Sequence, residues 1–169
     1  MNEAALEGGR GPLGLGAAEA ARLIALLLPL GLLGGALGSQ YVGGLDPCEM
    51  CYWQRWPHGA AIALGALAFT TPARTRLSRT LTVLAAVAIA ISGAIGVYHA
   101  GVEAGIFEGF TTCAAAGPRT LEDIMATPLI RCDQVQWSFI GISMAGWNAI
   151  LSLGGAALIA ALGLRGRPA

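Results

Sequence analysis

The sequence predicts an all-α membrane protein: a four-transmembrane-helix bundle with a short interfacial helix in the second outer loop, forming one integral domain over residues 1–169. Three observations carry that prediction. Hydrophobic residues make up 55% of the chain and charged ones 12%, about half the charged share of a soluble globule. Four apolar stretches recur along it, and a bilayer core of about 30 Å takes about 20 helical residues. The charges between those stretches are sorted by sign. Composition also removes other classes. Disorder needs low hydrophobicity and high net charge, whereas the mean hydropathy is +0.64 and the formal charge is zero. There is no lysine, and the arginines form no basic stripe, so no nucleic-acid partner is expected.

Residues 1–19 read as a flexible cytoplasmic tail, Gly-rich over its first 16 positions. The first apolar stretch runs from about Leu23 to Gly38. Ala36, Leu37 and Gly38 resemble a signal-peptide cleavage site, but the long preceding tail holds three acids, a poor start for such a signal. The second stretch follows Pro57 and lasts to Phe69; it is short alone, and Tyr52, Trp53 and Trp56 extend it at its start. The third, Leu81 to Tyr98, and the fourth, Ile142 to Leu164, contain no charged residue. Small-residue repeats, Gly31 with Gly35 and Gly93 with Val97 beside Gly96, suit close helix approach in a membrane. In the second outer loop, Leu121, Ile124, Met125 and Leu129 recur at helical spacing opposite Glu122 and Asp123. That pattern predicts a short amphipathic helix on the membrane, limited by Pro128; a packed loop element is the plainer reading.

The zero net charge is a sum of two opposite values. The tails and the middle loop hold Arg10, Arg22, Arg74, Arg76, Arg79, Arg165 and Arg167 against Glu3, Glu7 and Glu19, a net +4. The first and third loops hold Arg55, Arg119 and Arg131 against Asp46, Glu49, Glu103, Glu108, Glu122, Asp123 and Asp133, a net −4. Because arginine-rich short loops stay inside, both termini are expected in the cytoplasm and the two acidic loops outside. All four cysteines, Cys48, Cys51, Cys113 and Cys132, lie in those outer loops, where disulfides persist. Trp53, Trp56, Trp137, Tyr41, Tyr52 and Tyr98 cluster near the same boundary, as an aromatic belt does.

Cys48 and Cys51 form a Cys-x-x-Cys unit at the start of the second stretch. A helix beginning there sets its thiols at the N-terminus, where unpaired N–H groups and the macrodipole favour thiolate. Arg55 lies one turn on, about 6 Å in rise, on the face of Cys51. Its guanidinium suits a thiolate or a reduced carbonyl compound. An arginine deep in a membrane costs up to about 3 kcal/mol, so it should snorkel or find an anionic partner. A structural disulfide, or half of a zinc site, uses the same letters; zinc usually brings two closely spaced ligand pairs, which this chain lacks. Four cysteines allow three pairings, and proximity favours Cys48 with Cys51 and Cys113 with Cys132. His99, at the outer end of the third stretch, reads equally as an interfacial residue or a proton or quinone contact. His58 reads as structural.

Together these motifs resemble the disulfide bond formation protein B (DsbB) family. The resemblance covers about Gln40 to Trp147 and rests on Pro47, Cys48, Cys51 and Arg55, then on the run from Cys132 through Trp137, Phe139 and Gly141 to Met144. In the similar vitamin K epoxide reductase family the loop cysteines precede the Cys-x-x-Cys unit, opposite to the order here. The resemblance implies a quinone-linked thiol oxidase in the bacterial inner membrane, its cysteine loops periplasmic. It takes electrons from a DsbA-like thioredoxin-fold partner and passes them to a membrane quinone, ubiquinone or menaquinone. It further implies that Cys113 receives the partner's thiolate, Cys132 exchanges with Cys48, and Cys51 is the thiolate facing the quinone. Arg55, His99 and Met144 then border the quinone, and no metal is implied. Gln54 stands where some members have glutamate, so no proton-transfer role passes to it. The loop from Cys113 to Cys132 is also shorter than in the best-known members. A scaffold whose outer loops are merely braced by disulfides is the alternative.

Overall fold

The computed structural model describes residues 15–109 and 131–165. Its elements are α1 (Ala17–Tyr41), α2 (Glu49–Ala68), α3 (Arg76–Glu103), the strands β1 (Ser138–Phe139) and β2 (Ile142–Ser143), and α4 (Met144–Arg165). Three of the helices, α1, α3 and α4, are long and apolar enough to cross a membrane. The fourth, α2, has 20 residues, which span about 30 Å; Gln54, Arg55 and His58 lower its hydropathy. The aromatic segment does extend the second stretch, because α2 starts at Glu49. Helix α1 starts at Ala17, so residues 17–19 are helical instead of belonging to the tail. Cys113 and the proposed interfacial helix around Leu121, Ile124, Met125 and Leu129 lie outside the described residues.

Local chemistry sets the helix starts. The Cys48 sulfur caps α2 by accepting the Cys51 N–H at 3.3 Å, and the Thr75 hydroxyl caps α3 by accepting the Ser78 N–H at 3.2 Å. The fourth helix begins two residues later than the apolar run predicts. Ile142 and Ser143 instead pair with Phe139 and Ser138 in a hairpin. Ile140 and Gly141 at its tip both have positive φ, 53° and 75°, as a two-residue primed turn requires. An apolar run carries no mark of such a turn when the first tip residue is isoleucine and not asparagine.

The helices form a ring in which α3 packs against α2 and α4, and α1 packs against the same two, with little contact across the α1–α3 diagonal. The core is built from small side chains: Ala21, Ala25, Ala61, Ala85 and Ala86 surround Ile89 and Ile159. Small residues bring backbones together where lipid supplies no hydrophobic drive. A Cβ on Gly96 would lie 3.0 Å from the Ala145 carbonyl oxygen, and one on Gly65 3.2 Å from that of Ala25. The Gly31–Gly35 repeat does not act this way, since a Cβ at either position meets nothing within 4 Å. Overpacking costs about 1–3 kcal/mol, so Gly96→Val should lower the thermal unfolding midpoint in detergent while Gly34→Ala, in open space, leaves it in place.

The charge sorting corresponds to two ends of this bundle. At one end, Arg22 donates to the Thr71 carbonyl at 2.9 Å and lies 4.3 Å over the Phe69 ring, tying the start of α1 to the α2–α3 turn. At the other end, the starts of α2 and α4, the end of α3 and the hairpin converge around the cysteines.

Candidate active site

A cavity of about 620 Å³ opens at the cysteine end, bordered by all four helices. That volume is typical of small-molecule sites, about 300–1,000 Å³. Gly31 and Gly35 line its α1 wall, so the repeat read as a packing motif makes room instead. Five of the seven site residues read from the sequence lie on it: Cys48, Cys51, Arg55, His99 and Met144. Met144, the first residue of α4, accepts a hydrogen bond from the Ser39 hydroxyl at 3.9 Å, which joins α4 to α1 across the cavity.

The two sulfurs of the Cys-x-x-Cys unit lie 2.9 Å apart but have different surroundings. Cys48 is buried and packs with Met50, Val102 and Cys132, while Cys51 is less enclosed and lines the cavity. The sixth site residue, Cys132, is thereby brought to Cys48, although 84 positions separate them. The hydrogen-bonded Cys51 sulfur and then burial push the Cys48 thiol above the ordinary thiol range. Just past Cys132, the Arg131 guanidinium pairs with Asp133 and holds that carboxyl below its usual range. The seventh residue, Cys113, is outside the described residues.

Among the described residues Arg55 pairs with no acid. Its Nη1 donates to the Gln40 side-chain oxygen at 2.5 Å and its Nη2 to the Ala36 carbonyl at 3.2 Å, both on α1. Its guanidinium lies 5.0 Å from the Tyr52 ring centre. Among the described residues no carboxylate comes within 4.0 Å of it, and its buried Nε has no partner. Neutral acceptors therefore fix the side chain beside the cavity, with no ion pair to its charge among the described residues.

Behind the cavity runs a buried polar network that the sequence did not reveal. Asn148 of α4 donates to the Ser92 carbonyl at 3.1 Å and to the Gln54 side-chain oxygen at 2.7 Å. Gln54 donates to the Met50 carbonyl at 3.1 Å and reaches His99 Nδ1 at 2.9 Å. His58, expected to be structural, reaches Asn148 Oδ1 and the Ser92 hydroxyl, each at 2.9 Å, and also lines the cavity. The signal available in the sequence was polar side chains within apolar stretches, which are costly in a membrane unless partnered.

The network fixes the polarity of His99. Main-chain carbonyls only accept, so those of Met50 and Ser92 set which way both amides face. The Gln54 NH₂ thus donates to His99 Nδ1, and the ring carries its hydrogen on Nε2. That Nε2 lies 3.5 Å from the Cys48 sulfur and 3.8 Å from Glu103 Oε1, and the Cys132 main chain also hydrogen-bonds the ring. Cys48, Cys51 and His99 do offer three ligand atoms within 4.8 Å of one another. A metal-bound histidine, however, donates from its other ring nitrogen, and Gln54 presents a donor there. The protein's own hydrogen bonds oppose a metal at this position.

Comparison with known proteins agrees with this geometry. The sequence model of the family described as "Disulfide bond formation protein DsbB" matches residues 18–162. Several proteins named "Disulfide bond formation protein B" are similar. The one from Aromatoleum aromaticum is 33% identical over 132 residues, covering 71% of this chain and 76% of that protein. One from Xanthomonas oryzae pv. oryzae is 27% identical over 156 residues, covering 86% and 90%. One from Marinobacter nauticus is 28% identical over 135 residues, covering 75% and 80%. No solved structure matches the chain.

Proposed function

This chain belongs to the DsbB family, multi-pass membrane oxidoreductases that reoxidise DsbA by quinone-dependent disulfide exchange, and from that premise we propose which residue performs each step. A thiolate of a DsbA-like thioredoxin-fold partner attacks Cys113 and displaces Cys132. The Cys132 thiolate then attacks Cys48: the Cys132–Cys48 bond forms, the Cys48–Cys51 bond breaks, and Cys51 takes the electron pair as thiolate. The observation supporting this order is the difference in burial within the pair: both sulfurs border the cavity, but Cys48 is buried in the cluster that holds Cys132, while Cys51 packs at the edge of that cluster and is the more exposed of the two. Exchange needs an attacking thiolate and an accessible disulfide, and Cys132 shares a buried cluster with Cys48 beside the cavity.

The cavity fits a quinone in its chemistry. A quinone bound there accepts two electrons and two protons. Arg55 holds a positive charge where anionic character develops on sulfur or on a carbonyl oxygen, and in a low-dielectric site such a charge acts strongly. His99 and Met144 both form part of the wall. In this reading the ring is that of ubiquinone or menaquinone. Both termini lie in the cytoplasm of a bacterium, and the cysteine loops face the periplasm across the inner membrane. Lipid contacts the outward apolar side chains, such as Leu27, Val83, Val87, Ile91 and Ile150.

The test is direct. Purified protein mixed with a soluble quinone analogue and reduced DsbA-like substrate should bleach the quinone absorbance while the substrate becomes oxidised. No quinone reduction, together with cysteines that stay oxidised in quinone-depleted cells, would leave a disulfide-braced scaffold.

A further inference from the structure

We propose that Gln54 is a positioning residue for disulfide exchange at Cys48: by locking His99 in the Nε2–H form, it keeps a neutral imidazole donating to the Cys48 sulfur. The inference deepens the thiol-oxidase reading and rests on it.

The orientation follows from acceptors that cannot reverse. If the Gln54 amide were flipped, its oxygen would face the Met50 carbonyl oxygen, and its NH₂ would face the Asn148 NH₂, which is held in turn by the Ser92 carbonyl. Each such mismatch in a buried site leaves polar groups unsatisfied, which the assigned orientation avoids. His99 is 3% exposed, and its Nδ1 is occupied by the Gln54 donor. A second ring proton would have to sit where that donor already points.

The consequence falls on Cys48. When an attacking thiolate displaces Cys48 from a disulfide with Cys132, the new bond forms to Cys132, the Cys132–Cys48 bond breaks, and the electron pair stays on Cys48. The attacker has already given its proton to solvent. The departing thiolate forms in a buried place that disfavours it, and the His99 Nε2–H, 3.5 Å away, is the donor in position to stabilise it. The same nitrogen lies 3.8 Å from one oxygen of the Glu103 carboxyl, whose other oxygen is buried with no partner, and the Cys132 main chain also hydrogen-bonds the ring. The other titratable or charged groups around the ring are Cys48, Cys51 and Arg55 from α2, and Cys132 with the Asp133-paired Arg131 from the segment before β1. From α4 it meets the neutral Asn148 through Gln54.

Two readouts test this on the full-length protein in micelles. In wild type, nitrogen NMR of labelled histidine should show His99 protonated at Nε2 and bare at Nδ1, unchanged between about pH 5 and 8. Gln54→Glu puts an acceptor oxygen at Nδ1, so the ring takes a hydrogen there and titrates. As pH rises, the proton lost is then the one on Nε2, and the donor to Cys48 disappears. Resolution of the Cys48–Cys132 disulfide, followed by acid quench and thiol trapping, should fall about ten- to hundredfold across that range in the variant, with little change in wild type. A wild-type His99 that titrates, or carries its hydrogen on Nδ1, overturns the proposal. So does a folded Gln54→Glu protein with a flat pH profile; if that variant fails to fold, the wild-type spectrum still decides. Wild-type protein that turns over no quinone would instead sink the thiol-oxidase reading and leave the tautomer assignment standing.

Discussion

Cys51→Ser should abolish quinone reduction, by at least about a thousandfold given what removal of a nucleophile costs an enzyme, and should trap the chain with Cys48 joined to Cys132. The two cysteines are not interchangeable. Cys48 caps α2 and is buried in one cluster with Cys132; Cys51 lies in the first helical turn, is more exposed, and borders the cavity with Cys48. With serine at position 51 the Cys48 thiolate can attack the Cys113–Cys132 disulfide at Cys132, so that the Cys48–Cys132 bond forms and Cys113 leaves as thiolate, but no second sulfur remains to pass electrons onward. The reciprocal Cys48→Ser should be equally inactive without forming that disulfide. Quinone absorbance measures the loss, and non-reducing peptide mapping separates the two variants. Normal turnover by Cys51→Ser would remove this cysteine from the path of the electrons.

Much of this site is visible along the chain because its parts are local. The Cys-x-x-Cys unit and Arg55 occupy eight consecutive positions, 48–55, and helical periodicity alone puts Cys51 and Arg55 on one face. Charge sorting by loop likewise needs no three-dimensional knowledge. What stayed hidden depends on pairs far apart in sequence. Gln54 and Asn148 are 94 positions apart, and Cys48 and His99 51. Nothing in the apolar fourth stretch marks Asn148 as the residue that orients Gln54. The resemblance makes His99 a neighbour of the quinone, and its position on the cavity is compatible with that, yet its partners in the structure include Gln54, the Cys48 sulfur and the Cys132 main chain. Gly31 and Gly35 carried the signature of helix packing, but a small residue equally permits a neighbouring helix or an empty space. Sequence spacing does not distinguish these outcomes.

Arg55→Met should lower the rate of quinone reduction about a hundred- to a thousandfold, the usual effect of removing a preorganised charge from a site of developing negative charge. Two roles of Arg55 must be separated to read that result. Its guanidinium ties α2 to Gln40 and Ala36 on α1, so part of the loss is expected from a loosened cavity wall. Gln40→Ala removes the side-chain half of this tie and keeps the charge; its effect should stay within about tenfold, the value of one hydrogen bond to a charged group at the low end of its range. Arg55→Lys keeps a charge but loses the planar fork that reaches both acceptors, and should fall between the two. If electrostatics dominate, the order of rates is wild type, Gln40→Ala, Arg55→Lys, Arg55→Met, with the fall in kcat exceeding any rise in KM for quinone. If the arginine only holds the helices together, Gln40→Ala and Arg55→Met should approach one another, and unfolding midpoints should fall in parallel with the rates.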